Sequence, residues 1–87
     1  NPKFVLGWFF LGNAFQRAGR LNDAERAWRK AVEIEPGLTA AWRNLALLLL
    51  ELHDPRGALD AAEKAVATGG GEAARLTLER ARQALAR

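Results

Sequence analysis

The sequence predicts an all-α helical solenoid, in which a helix-turn-helix unit stacks beside a copy of itself. Apolar residues recur at helical spacing along nearly the whole chain, and the alternation typical of strands is absent. Large and small apolar residues also recur at a distance of 34 positions, as Trp8 and Trp42 or Leu11 and Leu45 do. A fixed period of this length is typical of stacked helix pairs. We therefore expect five helices: two pairs and a closing helix.

The first two helices are bounded by turn-forming residues. The first is predicted over about residues 3–18, because Gly19 can adopt the left-handed conformation that ends a helix. The second is predicted over about residues 23–35, with Asn22 as its N-terminal cap. Pro36 and the glycine after it end that helix. The two helices then form the first unit.

The remaining three helices follow the same reasoning. The third is predicted over about residues 39–52, and the fourth starts at Pro55 with Asp54 as its cap. A glycine run at 69–71 ends the fourth helix, and the fifth covers about residues 72–86. Its apolar stripe does not follow the period of 34, so we expect this helix to be rotated or shifted relative to the first and third. The predicted stripe consists of Ala74, Leu78, Ala81 and Leu85.

Small residues are predicted where the two helices of a unit cross. Gly12 in the first unit and Ala46 in the second stand at such positions, because a larger side chain there would push the helices apart. Bulky rings then fill the remaining volume between the units. These rings are Trp8, Phe15, Trp28 and Trp42.

This combination of period and residue types resembles the tetratricopeptide repeat. The residues that carry the resemblance are Trp8, Leu11, Gly12, Phe15, Gly19, Ala24, Trp28, Ala31 and Pro36. Residues 5–38 fit the pattern almost throughout, whereas Leu49 and Ala62 replace both aromatic residues of the second unit. The resemblance implies a single domain over residues 1–87. Its parts are a first repeat at about 5–38, a second at about 39–72 and a closing helix at about 72–86.

The resemblance also implies a function, namely binding a peptide or helix of a partner protein in the concave groove. Such grooves are lined by the first helix of each repeat. The implied groove residues are Leu6, Phe9, Phe10, Asn13, Arg17, Arg43, Asn44 and Leu47. Asn13 and Asn44 match two asparagines of family members that clamp chaperone tails. The cations of that clamp are missing, so the amides are interpreted either as groups that bond a ligand's main chain or as solvated polar residues.

An alternative function is homo-oligomerisation through the apolar face of the first helix. The chain starts as if cut from a longer protein, so we expect Phe4 and Val5 to have lost an intramolecular neighbour. For Phe10 we favour a place in the groove. An exposed apolar edge of this kind would drive self-association.

Composition excludes several other classes of function. The net charge is +3, and no aromatic residue interleaves with the arginines after residue 72, so we do not expect nucleic-acid binding. The single histidine, His53, is interpreted as a turn residue, and we expect no metal, cofactor or catalytic site. No apolar run reaches the ~18 residues of a membrane span. The lack of cysteine favours a reducing cytoplasm, with the periplasm left open, and the Ala- and Arg-rich composition suggests a bacterial source.

Overall fold

The computed structural model describes the backbone of residues 2–87 and the side chains from Phe4 onward. This part of the chain contains five α-helices and no strand. They are α1 (Pro2–Arg17), α2 (Leu21–Ile34), α3 (Thr39–Glu51), α4 (Pro55–Ala67) and α5 (Gly71–Ala86). The predicted all-α fold is confirmed, and each helix end lies within about two residues of its predicted place, the usual uncertainty of a helix boundary. None of the helices in residues 2–87 is long and apolar enough to cross a bilayer.

The period of 34 in the sequence is also a period in the backbone. In the turn after α1, the N–H groups of Gly19 and Arg20 donate back to carbonyl oxygens of α1 at 3.0 and 2.9 Å. In the turn after α3, His53 and Asp54 donate to the matching carbonyls of α3 at 3.1 and 2.8 Å. Gly19 and His53 both have positive φ, 78° and 60°. The predicted left-handed stop at Gly19 is therefore confirmed, and His53 occupies the same conformation despite its side chain.

The two turns differ in how the following helix is capped. The Asp54 carboxylate accepts a hydrogen bond from the N–H of Gly57 at 3.0 Å, which confirms the predicted cap of α4. The predicted cap at Asn22 is wrong. The capping position of α2 is Arg20, whose side chain makes no capping bond. The reason is the turn itself, since the bond from the Arg20 N–H back to α1 fixes the helix start at Leu21, one residue before Asn22.

The buried core is built mainly from α2, α3 and α4, and α1 packs against it next to Trp28. The Trp28 side chain is fully buried, and its indole N–H donates to the carbonyl oxygen of Phe9 at 3.1 Å. A Cβ atom at Gly12 would overlap the Trp28 ring. In the second pair the corresponding residues are Ala46 and Ala62, both fully buried. The requirement for a small residue at the helix crossing is thus confirmed at Gly12, and Ala46 is buried at the matching position of the second pair.

Helix α5 joins the fold through a turn of the type found inside a helix pair. Gly69 and Gly70 donate back to α4 at 3.1 and 2.9 Å, as Gly19 and Arg20 do to α1. This turn explains why α5 departs from the period, because the connection between α2 and α3 has a different set of bonds. The predicted stripe is confirmed at Ala74 and Ala81, which are fully buried, with Leu78 half-buried. Leu85 is 38% exposed, so its assignment to the stripe is wrong.

We predict that Gly12→Ala destabilises the chain by ~1–3 kcal/mol or more, since the added methyl group must displace the buried Trp28 ring. Urea denaturation followed by circular dichroism measures this change. Gly7→Ala is the matched control on the same helix. No atom lies within 4 Å of its added Cβ, and alanine should stabilise the helix there by roughly 0.5–1 kcal/mol. Equal effects of the two substitutions would contradict the packing described for Gly12.

A second prediction separates the cap in the structure from the one expected from the sequence. Asp54→Ala should lower the free energy of unfolding by about 0.5–2 kcal/mol because the first turn of α4 loses its acceptor. Asn22→Ala should change it by less than about 0.5 kcal/mol, as is usual for an exposed surface residue. Thermal and urea unfolding of both variants provide the comparison. A larger loss for Asn22→Ala would mean that α2 starts later than described.

Candidate functional site

The predicted groove begins with a stripe along α1 that faces away from the core. Leu6, Phe10, Asn13 and Arg17 follow one another at helical spacing, so they share one face of the helix. Leu6 is 52% exposed and Phe10 is 60% exposed, while Asn13 is half-buried. Adjacent exposed apolar side chains that form one patch can mark a site of protein interaction. The stripe therefore has the exposure that a binding surface requires.

Phe9 has a different place from its neighbour. Its side chain is half-buried and packs against the core. Its ring meets that of Phe10 edge to face, with the centroids 5.5 Å apart and the planes at 65°. Its carbonyl oxygen accepts the hydrogen bond from Trp28. Phe9 consequently supports the ring of Phe10 and fixes the backbone beside it, while offering less surface of its own.

Helix α3 brings its own predicted groove residues next to this stripe. The side-chain amide of Asn44 donates to the side-chain oxygen of Asn13 at 3.5 Å, so the two asparagines meet across α1 and α3. That distance is long for an N–H···O bond, and each amide has further donors and acceptors. Arg43 and Leu47 are half-buried beside them. The structure thus joins the two halves of the candidate site, which we call the groove surface: Leu6, Phe10, Asn13, Arg17, Arg43, Asn44 and Leu47.

A pocket that the sequence did not reveal lies where α3 and its following turn meet α5. It has a volume of about 480 Å³ and is lined by Leu50, His53, Pro55, Arg80, Gln83, Ala84 and Arg87. We call it the α5 pocket. The sequence does contain one indication of this pocket. Arg75 and Arg82 each have a glutamate three residues before them with which they can pair on a helix, whereas Arg80 does not. The rotation of α5 that aims these side chains at Leu50 could not be read from the sequence.

The face of α1 on the other side, away from α3, is also open. Phe4 and Leu11 are 62% and 41% exposed, and a second pocket of about 480 Å³ lies between this face and α2. We call this the outer face of α1: Phe4, Gly7, Trp8, Leu11 and Phe15. Our expectation that Val5 lacks a neighbour is wrong, since Val5 is only 8% exposed. Phe4 remains open to solvent.

The second helix pair shows what this outer face looks like when it is covered. Counted 34 residues on from Gly7, Leu11 and Phe15, the corresponding residues of α3 are Ala41, Leu45 and Leu49. They are exposed by 0%, 0% and 2%. Gly7 and Leu11 are thus exposed and Phe15 is half-buried, whereas the matching residues of the second pair are buried, because the first pair packs on the second.

Charged side chains are distributed differently over these surfaces. On α2 they are paired with each other: Asp23 binds both Arg20 and Arg26 at 2.7 Å. The hydrogen bond from Arg26 is the main reason that the pKa of Asp23 lies below its usual value. In the groove surface, Arg17 and Arg43 make no ion pair with any residue that the structure describes. Their charges remain free to meet a ligand.

Comparison with known proteins agrees with this geometry. The family model described as Tetratricopeptide repeat matches residues 5–38. The chain contains a tetratricopeptide repeat. The five described helices form a solenoid of the tetratricopeptide type, with consecutive helices packed in pairs. No curated protein sequence matches the chain. Tetratricopeptide repeats generally mediate interactions between proteins and are typically not enzymes.

Proposed function

We propose that this tetratricopeptide domain binds a peptide or helix of a partner protein on the groove surface. The observation that carries the proposal is the exposure of Leu6 and Phe10, at 52% and 60%, beside the contact of Asn13 with Asn44. Apolar anchors next to a few polar groups are the usual composition of a protein interface. The anchors supply affinity, and the polar groups define the orientation of the ligand.

Phe10 is the strongest anchor in this arrangement. An aromatic side chain buries on the order of 150–250 Å² when it is covered, and such residues dominate binding energies at interfaces. The edge-to-face contact with Phe9 restrains the Phe10 ring before binding. Less conformational entropy is then lost when a ligand covers it. A ligand with an apolar side chain at this position would gain most from the contact.

The asparagine pair provides the polar part of the recognition. An amide carries both a donor and an acceptor, so Asn13 and Asn44 can bond to the main chain of an extended peptide. Arg17 is exposed near this pair, and Arg43 is half-buried. Both can interact with acidic groups at the rim. This combination favours a ligand with apolar anchors and peptide main chain within reach.

The domain organisation is part of the proposal. Residues 1–87 form one domain, with a first repeat at about 5–38, a second at about 39–72 and a closing helix at about 72–86. Support for the second repeat comes from the hydrogen bonds of its turn, which match those of the first repeat at a distance of 34 residues. Support for a separate closing helix comes from its turn, which differs from the connection between α2 and α3.

The groove proposal is tested with a peptide selected from a random displayed library on the immobilised chain. Its synthetic copy is titrated by fluorescence anisotropy. We expect Phe10→Ala and Asn44→Ala to weaken binding at least about tenfold, as hot-spot truncations do. Leu76→Ala is the matched control, since Leu76 is 58% exposed on α5, outside the groove surface. Circular dichroism verifies that each variant stays helical. Unchanged affinity in both groove variants would eliminate the groove as the binding site.

A second candidate function is self-association through the outer face of α1. The observation that favours it is the contrast between the two helix pairs: Leu11 is 41% exposed, whereas Leu45, at the same place in the second pair, is fully buried. The outer face of α1 therefore corresponds to a face that is covered by helices in the second pair. A second copy of the chain could cover it with the same face, as in a symmetric dimer.

Sedimentation velocity over a wide concentration range tests this second function. We expect the sedimentation coefficient to rise with concentration, because burying an apolar face favours association. Leu11→Gln should shift the midpoint to at least about tenfold higher concentration, as a polar group in the contact would lose its water. Leu76→Gln serves as the control for a general loss of exposed apolar surface. A chain that remains monomeric at every concentration would rule out this function.

A further inference from the structure

The arginines of α5, together with Arg87 directly after it, fall into two groups with different surroundings. Arg75 and Arg82 lie three residues after Glu72 and Glu79 and pair with them at 3.8 and 3.9 Å. Arg80 makes no ion pair with any residue that the structure describes, and the same holds for Arg87. Arg80 lies in α5 and Arg87 directly follows its last residue, and a separation of seven residues places them on the same side of the helix axis. That face lines the α5 pocket.

The α5 pocket combines these cations with apolar contacts and a polar amide. Leu50, Pro55 and Ala84 are half-buried and provide apolar wall. Gln83 stands between the two arginines in sequence and lines the same pocket, with an amide that can donate and accept. Guanidinium groups bind carboxylates with paired hydrogen bonds. The volume of about 480 Å³ is large enough for one amino-acid side chain and its main chain.

We propose that the α5 pocket binds an acidic residue of the partner peptide, with Arg80 and Arg87 holding its carboxylate. This inference rests on the proposed peptide-binding function and names the chemistry of the ligand at one end of the site. Leu50 and Ala84 contact the methylene groups of that residue. Gln83 bonds to the peptide main chain. The mixture of apolar wall and amide favours a peptide carboxylate. The imidazole of His53 also lines the pocket and is a ring on which a base can stack, so the experiment includes an oligonucleotide.

The experiment uses a defined small ligand, so it does not depend on the groove surface. The probe is the tripeptide acetyl-Ala-Leu-Asp with a free terminal carboxylate, and its neutral twin is acetyl-Ala-Leu-Asn amide. Both are titrated into the isotope-labelled chain, with chemical shifts read at the side-chain N–H of Arg80 and at the amides of Gln83 and Ala84. We expect saturable shifts with the acidic peptide and at least about tenfold weaker binding of the neutral one.

Two variants of α5 provide the matched comparison. Arg80→Gln should lower the affinity for the acidic peptide at least about fivefold, because the Arg80 guanidinium contacts the carboxylate directly. Arg82→Gln removes the same charge two residues away, from an arginine that is paired with Glu79 and does not line the pocket. It should change the affinity by less than about twofold, as expected for an exposed, screened charge. Both positions are exposed, so neither change threatens the fold.

Three results would overturn the proposal. The first is the absence of shifts at the pocket with the acidic peptide. The second is an equal loss of affinity in Arg80→Gln and Arg82→Gln, which would mean general attraction to a positive helix. The third is tighter binding of a short oligothymidylate than of the acidic peptide, with steep salt dependence, which would indicate a nucleic-acid site. Phe10→Ala should leave the affinity for the tripeptide unchanged. A negative result for the α5 pocket would therefore not contradict binding at the groove surface.

Discussion

The contact between the Trp28 ring and the backbone of α1 at Gly12 is the constraint on which the site depends. The ring is fully buried, and a Cβ at Gly12 would overlap it. Its N–H also bonds to the carbonyl oxygen of Phe9, so the ring fixes both the distance and the rotation of α1. Once that rotation is set, Phe10 must point away from α2. A packing contact in the core thereby determines which aromatic residue is available to a partner.

The second helix pair meets the same constraint with smaller residues. Ala46 and Ala62 replace the glycine and the tryptophan, and both are fully buried. The lost volume is filled in two ways. Leu48 and Leu49 bury large side chains on α3, and α5 approaches through small residues such as Ala74 and Ala81. Because α5 packs closely against α4, the second pair is compact without an aromatic residue at its centre.

The sequence predicts most of this fold, because the residues that start and end helices act locally and the 34-residue period can be read directly from the sequence. The helix ends follow from residues such as Gly19 and Pro55, whose backbone preferences do not depend on distant contacts. The cap at Asn22 was predicted wrongly for the opposite reason. There, a hydrogen bond from Arg20 back into α1 fixes the helix start, and side-chain type does not decide it. The burial of Val5 likewise depends on how α1 is rotated against α2.

In the candidate site, the sequence predicts which side chains are exposed better than it predicts which residues contact each other. Leu6 and Phe10 were expected on the open face of α1, and both lie there. The α5 pocket was missed because its residues come together only through the rotation of α5. A run of three glycines leaves that rotation undetermined, since glycine permits many backbone conformations. In the structure Gly69 and Gly71 have φ of 96° and 64°, and a Cβ at Gly70 would lie 2.7 Å from the carbonyl oxygen of Ala65.

The groove surface and the α5 pocket differ in chemistry. The part formed by α1 and α3 presents exposed apolar side chains and amides, with Phe10 at its centre. The part formed by α3 and α5 presents Arg80, which has no ion pair among the residues that the structure describes. A ligand that used both would need an apolar anchor and an acidic residue in a fixed order along its chain. The reversed order would place the carboxylate on Phe10 and leave it desolvated without a partner, which is strongly unfavourable. The order of the two groups would therefore discriminate between ligands more strongly than either part alone.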